Sequence, residues 1–229
     1  MMDNDRLFSL NLLPTMNGNI ISSTELNILA AAEKLFLEKG FKAASTTEIA
    51  REAGCNQALV HYYFRTKENL FDKIFYAKFE TVMDFIDRSI RDDSNIFNSI
   101  SSIIDEYFHF LTENPKIPYF LFNELTQNQE RRKYIREVFL SNERGQTVFS
   151  RLQSMVERAI RTGTIREIDP LDLIIDGMSL VVFSFIAAPI FIDLLGRDGN
   201  TASEFLEHRK KEITTLLING LMPVGTTAG

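Results

Sequence analysis

Two capping boxes punctuate the first third of the chain and constrain it more than any other feature. In Ser22-x-x-Glu25 and in Ser45-x-x-Glu48, a hydroxyl and a carboxylate are spaced to satisfy the orphan amides of a helical first turn. Behind the first box, Leu26, Leu29, Ala32, Leu35 and Phe36 recur at helical spacing, and Gly40 supplies the stop. Behind the second, a short helix runs through Ile49, Ala50 and Ala53 and closes at Gly54. A third short helix is predicted from Gln57 to Phe64, with Asn56 as its cap. Three short helices with tight turns make a compact unit.

The pattern stays helical to the end of the chain. After Thr66, a longer helix carries Leu70, Ile74, Phe75, Phe79, Val82, Phe85 and Ile86 to near Arg91. Another spans roughly Ile96 to Thr112, and Pro115 and Pro118 punctuate before a short Tyr119–Thr126 helix. A charged run, Glu130 to Arg136, reads as a solvated face; it begins a helical stretch that bends around Asn142–Gly145 and continues to Arg161. Asp169–Pro170 opens a helix with proline at its first position, apolar nearly all round from Leu171 to Ile186. Ser203 to Gly220 is amphipathic through Phe205, Leu206, Ile213, Leu216 and Leu217. No period-two segment and no internal repeat stand out, so the fold class is all-α. The expected organisation is a flexible arm at 1–21, a helix-turn-helix domain at 22–68 and a helical bundle at 69–229. Met16 is a candidate natural start.

Composition removes several function classes. The chain has 229 residues and a formal charge of -6, which argues against a protein that coats nucleic acid without selectivity. A local DNA-binding face remains compatible, because phosphate contacts need only a few placed donors. Cys55 is the only cysteine, so a disulfide framework and a thiolate metal cluster are excluded, and a reducing cytoplasm is the expected location. In its turn, Cys55 reads as a small filler. The start of the chain lacks the basic residues and long apolar core of a secretion signal. The uncharged run Gly177–Ile192 contains Pro189 and falls short of the ~20 residues that cross a bilayer; it reads as a buried helix, with no membrane partner expected. His109 and His208 are far apart and are read as lacking a helical acid or histidine partner, so neither metal nor cofactor is expected.

The segment from Thr46 to Phe64 has the logic of a helix-turn-helix. Ile49, Ala53 and Val60 are placed to pack two helices together, Ala50 and Ala53 allow a close crossing, and Gly54 permits the sharp turn. The second helix presents Asn56, Gln57, His61, Tyr62 and Tyr63, a face of amides, imidazole and phenols that suits base edges and phosphates in a major groove. Arg65 and Lys67 follow at once, and Thr66 caps the next helix, whose amide dipoles favour phosphate. Leu35-Phe36, Glu38 to Phe41, Thr46, Ile49-Ala50, Ala53-Gly54 and the run His61 to Phe71 together resemble the TetR-family DNA-binding domain.

That resemblance covers about residues 24–71 and implies phosphate contacts from Thr46, Tyr62, Tyr63 and Lys67. It places Asn56, Gln57, Ala58 and His61 nearest the bases, with Gln57 the best reader because a carboxamide bridges adenine N6 and N7. His61 stands where the family often has tyrosine, and Gln57 where a basic residue is common. The head is net neutral: Lys34, Lys39, Lys42, Arg51, Arg65, Lys67 and Lys73 balance Glu25, Glu33, Glu38, Glu48, Glu52, Glu68 and Asp72. Affinity for DNA must therefore come from placement, with Lys42, Arg51, Arg65 and Lys67 expected at its edge.

Most of the 19 phenylalanines lie in the remainder, where core packing accounts for most of them. The resemblance implies an effector pocket there, with Phe79, Tyr107, Phe108, Phe122 and Phe183 as candidate walls and Asn123 or Glu124 as polar anchors for a mainly hydrophobic small molecule. The helices at 171–187 and 203–220 carry more apolar surface than one small bundle hides, and a homodimer seam is expected there. The implied function is a ligand-responsive repressor whose dimer binds a palindromic double-stranded operator. An enzyme is the rival class, yet no nucleophile elbow, glycine-rich phosphate loop or His/Glu metal pair is present. A helical adaptor acting through protein contacts is a third, opposed by the intact DNA-facing residues.

Overall fold

The computed structural model describes residues 22–90, 95–194 and 202–223. Among them are ten helices and no strand. The expected arm at 1–21 and the suggested start at Met16 lie outside the described residues. The chain divides into two compact units, Met1–Thr81 and Val82–Gly229, with the division inside a helix.

The first unit holds α1 (Ser23–Lys39), α2 (Thr46–Glu52), α3 (Gln57–Phe64) and the opening of α4 (Lys67–Ser89). Of the two capping boxes expected from the sequence, the second is complete, Ser45 and Glu48 satisfying each other's backbone N–H groups; at the first, Ser22 Oγ accepts from the Glu25 amide while the Glu25 carboxylate pairs with Lys73. Gly54 ends α2 in a Schellman motif: its amide donates to Arg51 O, the Cys55 amide donates to Ala50 O, and Gly54 itself sits at φ 68°. The core is Ile28, Leu29, Ala32, Leu35, Phe36, Ile49, Ala50, Val60, Phe64, Leu70 and Phe71. Phe36, Phe41 and Phe71 form an aromatic cluster, their centroids 5.4–5.9 Å apart.

The second unit contains the end of α4, α5 (Ile96–Glu113), α6 (Ile117–Gln127), α7 (Gln129–Ser141), α8 (Glu143–Arg161), α9 (Pro170–Leu194) and α10 (Ala202–Leu221). The bend expected around Asn142–Gly145 is a break between two helices, where Asn142 ends α7 and caps α8 by accepting from Gly145 N. α8 is tied to the end of α4 by ion pairs of Arg144 with Asp84 and of Arg151 with Asp87. Arg151 also donates to Ile90 O at 2.8 Å. Gly163 repeats the Schellman geometry at the end of α8. Arg166 then donates to the Leu221 and Gly220 carbonyls, satisfying the C-terminal end of α10.

Three expectations change here. The Glu130–Arg136 run is not wholly solvated: Arg131 is 6% exposed and faces the equally buried Glu124 carboxylate at 3.9 Å. Arg131 and Ile135 share the inner side of α7 by i, i+4 spacing, which the charge pattern conceals. His109 does have a helical acid, Glu113 at 3.5 Å, although no group of three metal-ligating side chains stands together among the described residues. The uncharged run is buried along one side only, within an α9 that continues through Pro189 to Leu194 and has 28% of its most apolar window buried. It is long and apolar enough, by length and composition, to cross a membrane. Leu171, Ile175, Met178, Phe183 and Ile190 are exposed along one broad side of it, while Leu173, Val181, Phe185 and Ala188 face the core.

Candidate nucleic-acid interface

The interface is built from two helix starts and one strained turn. Asn56 accepts from Leu59 N through Oδ1, so its carbonyl caps α3 and only its amide nitrogen points onward. Val60 and Phe64 anchor α3 in the core, and Gln57, Ala58, His61 and Tyr62 are exposed on the remaining faces. Tyr62 is 78% exposed. An aromatic phenol so accessible on a short helix adds little to the core, which leaves its hydroxyl for a partner.

Tyr63 is half-buried, and its ring meets Tyr62 edge-on at 5.2 Å. Ser22 Oγ, which already accepts the α1 capping bond, donates to the Tyr63 phenol at 3.0 Å. The phenol therefore keeps its own proton for an outside acceptor. His61 Nδ1 lies 3.0 Å from the Arg65 carbonyl. A carbonyl only accepts, so Nδ1 is the donor in this contact.

Arg65 joins α3 to α4 at φ 64°, ψ -54°, with the Thr66 amide donating to Phe64 O at 2.7 Å. That combination is a γ-turn of the rare, strained kind. It persists because its surroundings over-determine it: the Arg65 amide donates to His61 O, Asn69 Nδ2 donates to Phe64 O, and Thr66 Oγ1 caps Asn69 N.

Lys67 has a second task that the sequence hides. Its ammonium donates to Phe41 O at 2.9 Å and Ala44 O at 3.0 Å, and sits 4.4 Å above the Phe41 ring centroid. Two of its three N–H donors hold the α1–α2 loop, leaving one for phosphate. Gln57 is likewise engaged: Nε2 donates to Thr46 Oγ1 at 2.9 Å, and Oε1 accepts from Thr47 Oγ1 at 3.3 Å. Thr47 was not singled out from the sequence, because its partner Gln57 lies ten residues away in chain order and cannot be read from local spacing.

Electrostatically, lysines on α1 and α4 pair with four of the unit's acids. Lys39 binds Glu48 at 2.7 Å, Lys34 binds Glu52 at 2.6 Å, and Lys73 and Lys78 bind Glu25 and Glu33. The Lys39 ammonium, with the Ser45 amide and hydroxyl, holds the Glu48 carboxyl down at about 2. Lys42, Arg51 and Arg65 are exposed, as the sequence places them.

The candidate effector residues separate into two groups. Phe79 is buried in the first unit; Phe108 is buried against Phe185 at 5.4 Å. Tyr107 packs on Phe85, and burial pushes its phenol up to about 12. Glu124 is buried beside Arg131. Phe122, Asn123 and Phe183 stand on the surface instead. Ile117, Pro118 and Glu124 form the inner side of α6, and the 100° step per residue turns positions 122 and 123 away from it.

Two family models match this chain. "Bacterial regulatory proteins, tetR family" matches residues 28–74, and "Tetracyclin repressor-like, C-terminal domain" matches residues 98–216. A Bacillus subtilis (strain 168) protein named as the HTH-type transcriptional regulator YhgD is 26% identical over 153 residues, 62% of this chain and 72% of its own length. The "Fatty acid metabolism regulator protein" of the same organism is 22% identical over 143 residues, 62% of this chain and 71% of its own. In fold, the chain is similar to the fatty acid degradation regulator FadR from Bacillus halodurans, with TM-score 0.64, 21% identity and coverage of 87% of this chain and 96% of that one. With α3 exposed on a capped helix-turn-helix, and with family matches across both units, the chain belongs to the TetR family of DNA-binding transcriptional regulators, which are not enzymes.

Proposed function

We propose that the protein is a cytoplasmic, ligand-responsive repressor that binds a palindromic operator as a homodimer. The outward polar face of α3 carries this reading: Gln57, His61 and Tyr62 are exposed while Val60 and Phe64 fix the helix. Thr46, Tyr62, Tyr63 and the remaining Lys67 donor contact phosphates, and Asn56, Gln57, Ala58 and His61 lie nearest base edges. One such head offers too little surface for tight specific binding. Two heads one helical turn apart, about 34 Å, supply it.

The second copy docks on α9 and α10. Ile175, Phe183, Ile190 and Leu216 are half or more exposed, an apolar stripe that a second chain would cover in a four-helix seam. A mainly hydrophobic effector binds in the second unit near Tyr107, Phe108 and the Glu124–Arg131 pair. The relative named as a fatty acid metabolism regulator supports an apolar ligand of this kind. α4 belongs to both units, so a ligand that favours one position of its Val82–Ser89 end would change the spacing of the two heads.

The test is selection of binding sites from random duplexes with the purified protein, followed by light scattering of the free protein and of the complex. A palindromic consensus bound by two chains is the expected outcome. Absence of any sequence preference, or a monomer bound to a single half-site, would overturn the proposal.

A further inference from the structure

We infer that Thr47 is a specificity-determining positioning residue, which with Thr46 fixes the polarity of the Gln57 amide before it meets a base. The inference rests on the reading of Gln57 as a base contact. Thr46 and Thr47 are the first two residues of α2, and Gln57 is the first of α3, so the helix-turn-helix crossing brings both hydroxyls to one side chain. Gln57 Nε2 donates to Thr46 Oγ1 at 2.9 Å and Gln57 Oε1 accepts from Thr47 Oγ1 at 3.3 Å.

In free protein, hydroxyls alone would not lock this arrangement, because each can donate or accept and an amide turned end for end would still be satisfied. Phosphate removes the ambiguity. A phosphate oxygen only accepts, so a Thr46 hydroxyl bound to phosphate gives up its one proton and can only accept from Gln57. Nε2 must then face Thr46, and Oε1 must face Thr47, which donates. One N–H of Nε2 and one lone pair of Oε1 remain. That pair matches adenine, which offers N7 as acceptor and N6–H as donor, and mismatches guanine, which offers two acceptors. Phosphate contact, threonine relay and base preference thus form one hydrogen-bonded chain. Thr47 touches the base only through Gln57.

The experiment compares binding-site profiles of the full-length wild type, Thr47→Val, Thr47→Ser and Gln57→Ala, each checked for native helicity. Gln57→Ala identifies the base pair that Gln57 reads, as the position where adenine preference disappears. Thr47→Val keeps the shape of the side chain and removes the donor. It is expected to lower the adenine-over-guanine preference at that same position by about threefold to tenfold, leaving preferences elsewhere and nonspecific affinity unchanged. Thr47→Ser is expected to restore the preference. A Thr47→Val profile identical to wild type overturns the inference while leaving Gln57 as the reader. A Gln57→Ala profile identical to wild type overturns the inference and the assignment of Gln57 together. A uniform loss of affinity at all positions, without change in the profile, shows Thr47 to be a structural or phosphate residue and also overturns it.

Discussion

Replacing Lys67 by methionine keeps the aliphatic stem and deletes the ammonium that binds the Phe41 and Ala44 carbonyls and covers the Phe41 ring. Each hydrogen bond from a charged donor is worth about 1.5–3 kcal/mol, and the cation–π contact adds about 0.5–1 kcal/mol. Lys67 is only partly buried, so water can replace some of what is lost. Discounting by about half for that screening leaves about 2–3.5 kcal/mol of local destabilisation, centred on the α1–α2 loop. Hydrogen exchange reads this directly: amide protection across residues 41–45 should fall by about 30- to 300-fold, at 1.4 kcal/mol per tenfold. The second unit serves as an internal control. DNA affinity should fall with it, because Thr46 and Gln57 lie just beyond the loosened loop. Lys67→Arg separates clamp from charge. If the ammonium's fit between two carbonyls is what matters, arginine restores neither protection nor affinity. Unchanged exchange in 41–45, with affinity lost in methionine and recovered in arginine, would refute the clamp and leave Lys67 a phosphate contact alone.

Four further outcomes follow from the same structure. Gly54→Ala adds a methyl with nothing within 4 Å of it, so its cost is the backbone conformation at φ 68° alone, about 1–2 kcal/mol, measured as a fall in the first unit's stability. Glu48, lowered from 4.5 to about 2, favours the folded state above pH 4.5, and that contribution is lost as pH falls through about 2. Acid-induced fraying of α2, followed by exchange or NMR over that window, should therefore disappear in Glu48→Gln, which lacks the titration. Arg65→Gly relieves a turn worth about 1–3 kcal/mol of strain, so thermal stability should hold or rise while operator affinity drops with the lost cation. Ile175→Asp places a charge in the apolar stripe of α9 and should shift light scattering from dimer to monomer; an unchanged dimer would move the seam elsewhere.

Much of the helical layout was legible because its signals are local. A capping box, a Schellman glycine or a Pro at a helix start involves residues within six positions of each other, and Ser22, Ser45, Asn56, Gly54 and Pro170 all stand where their neighbours require. The exposed face of α3 was legible for the same reason, since Val60 and Phe64 mark its opposite side. Effector walls were less so. Amphipathic spacing says that α6 has an inner side, but two of its three aromatic residues, Tyr119 and Phe122, point outward while Glu124 is buried.

By itself, then, the order of residues determined which segments are helical, where the helices of the first unit begin, and which short helix carries the polar rim, because those outcomes depend on backbone hydrogen bonds a few residues apart. Tertiary structure alone decided what meets across the chain: Lys67 over the loop at Phe41–Ala44, Gln57 between two threonines, Ser22 on Tyr63, Arg131 turned in toward Glu124. It also decided that α9 keeps an apolar side uncovered within one chain. These pairings have no period or spacing of their own. They arise when helices already specified locally choose the crossings that bury their apolar faces, and polar groups then take the partners those crossings bring near.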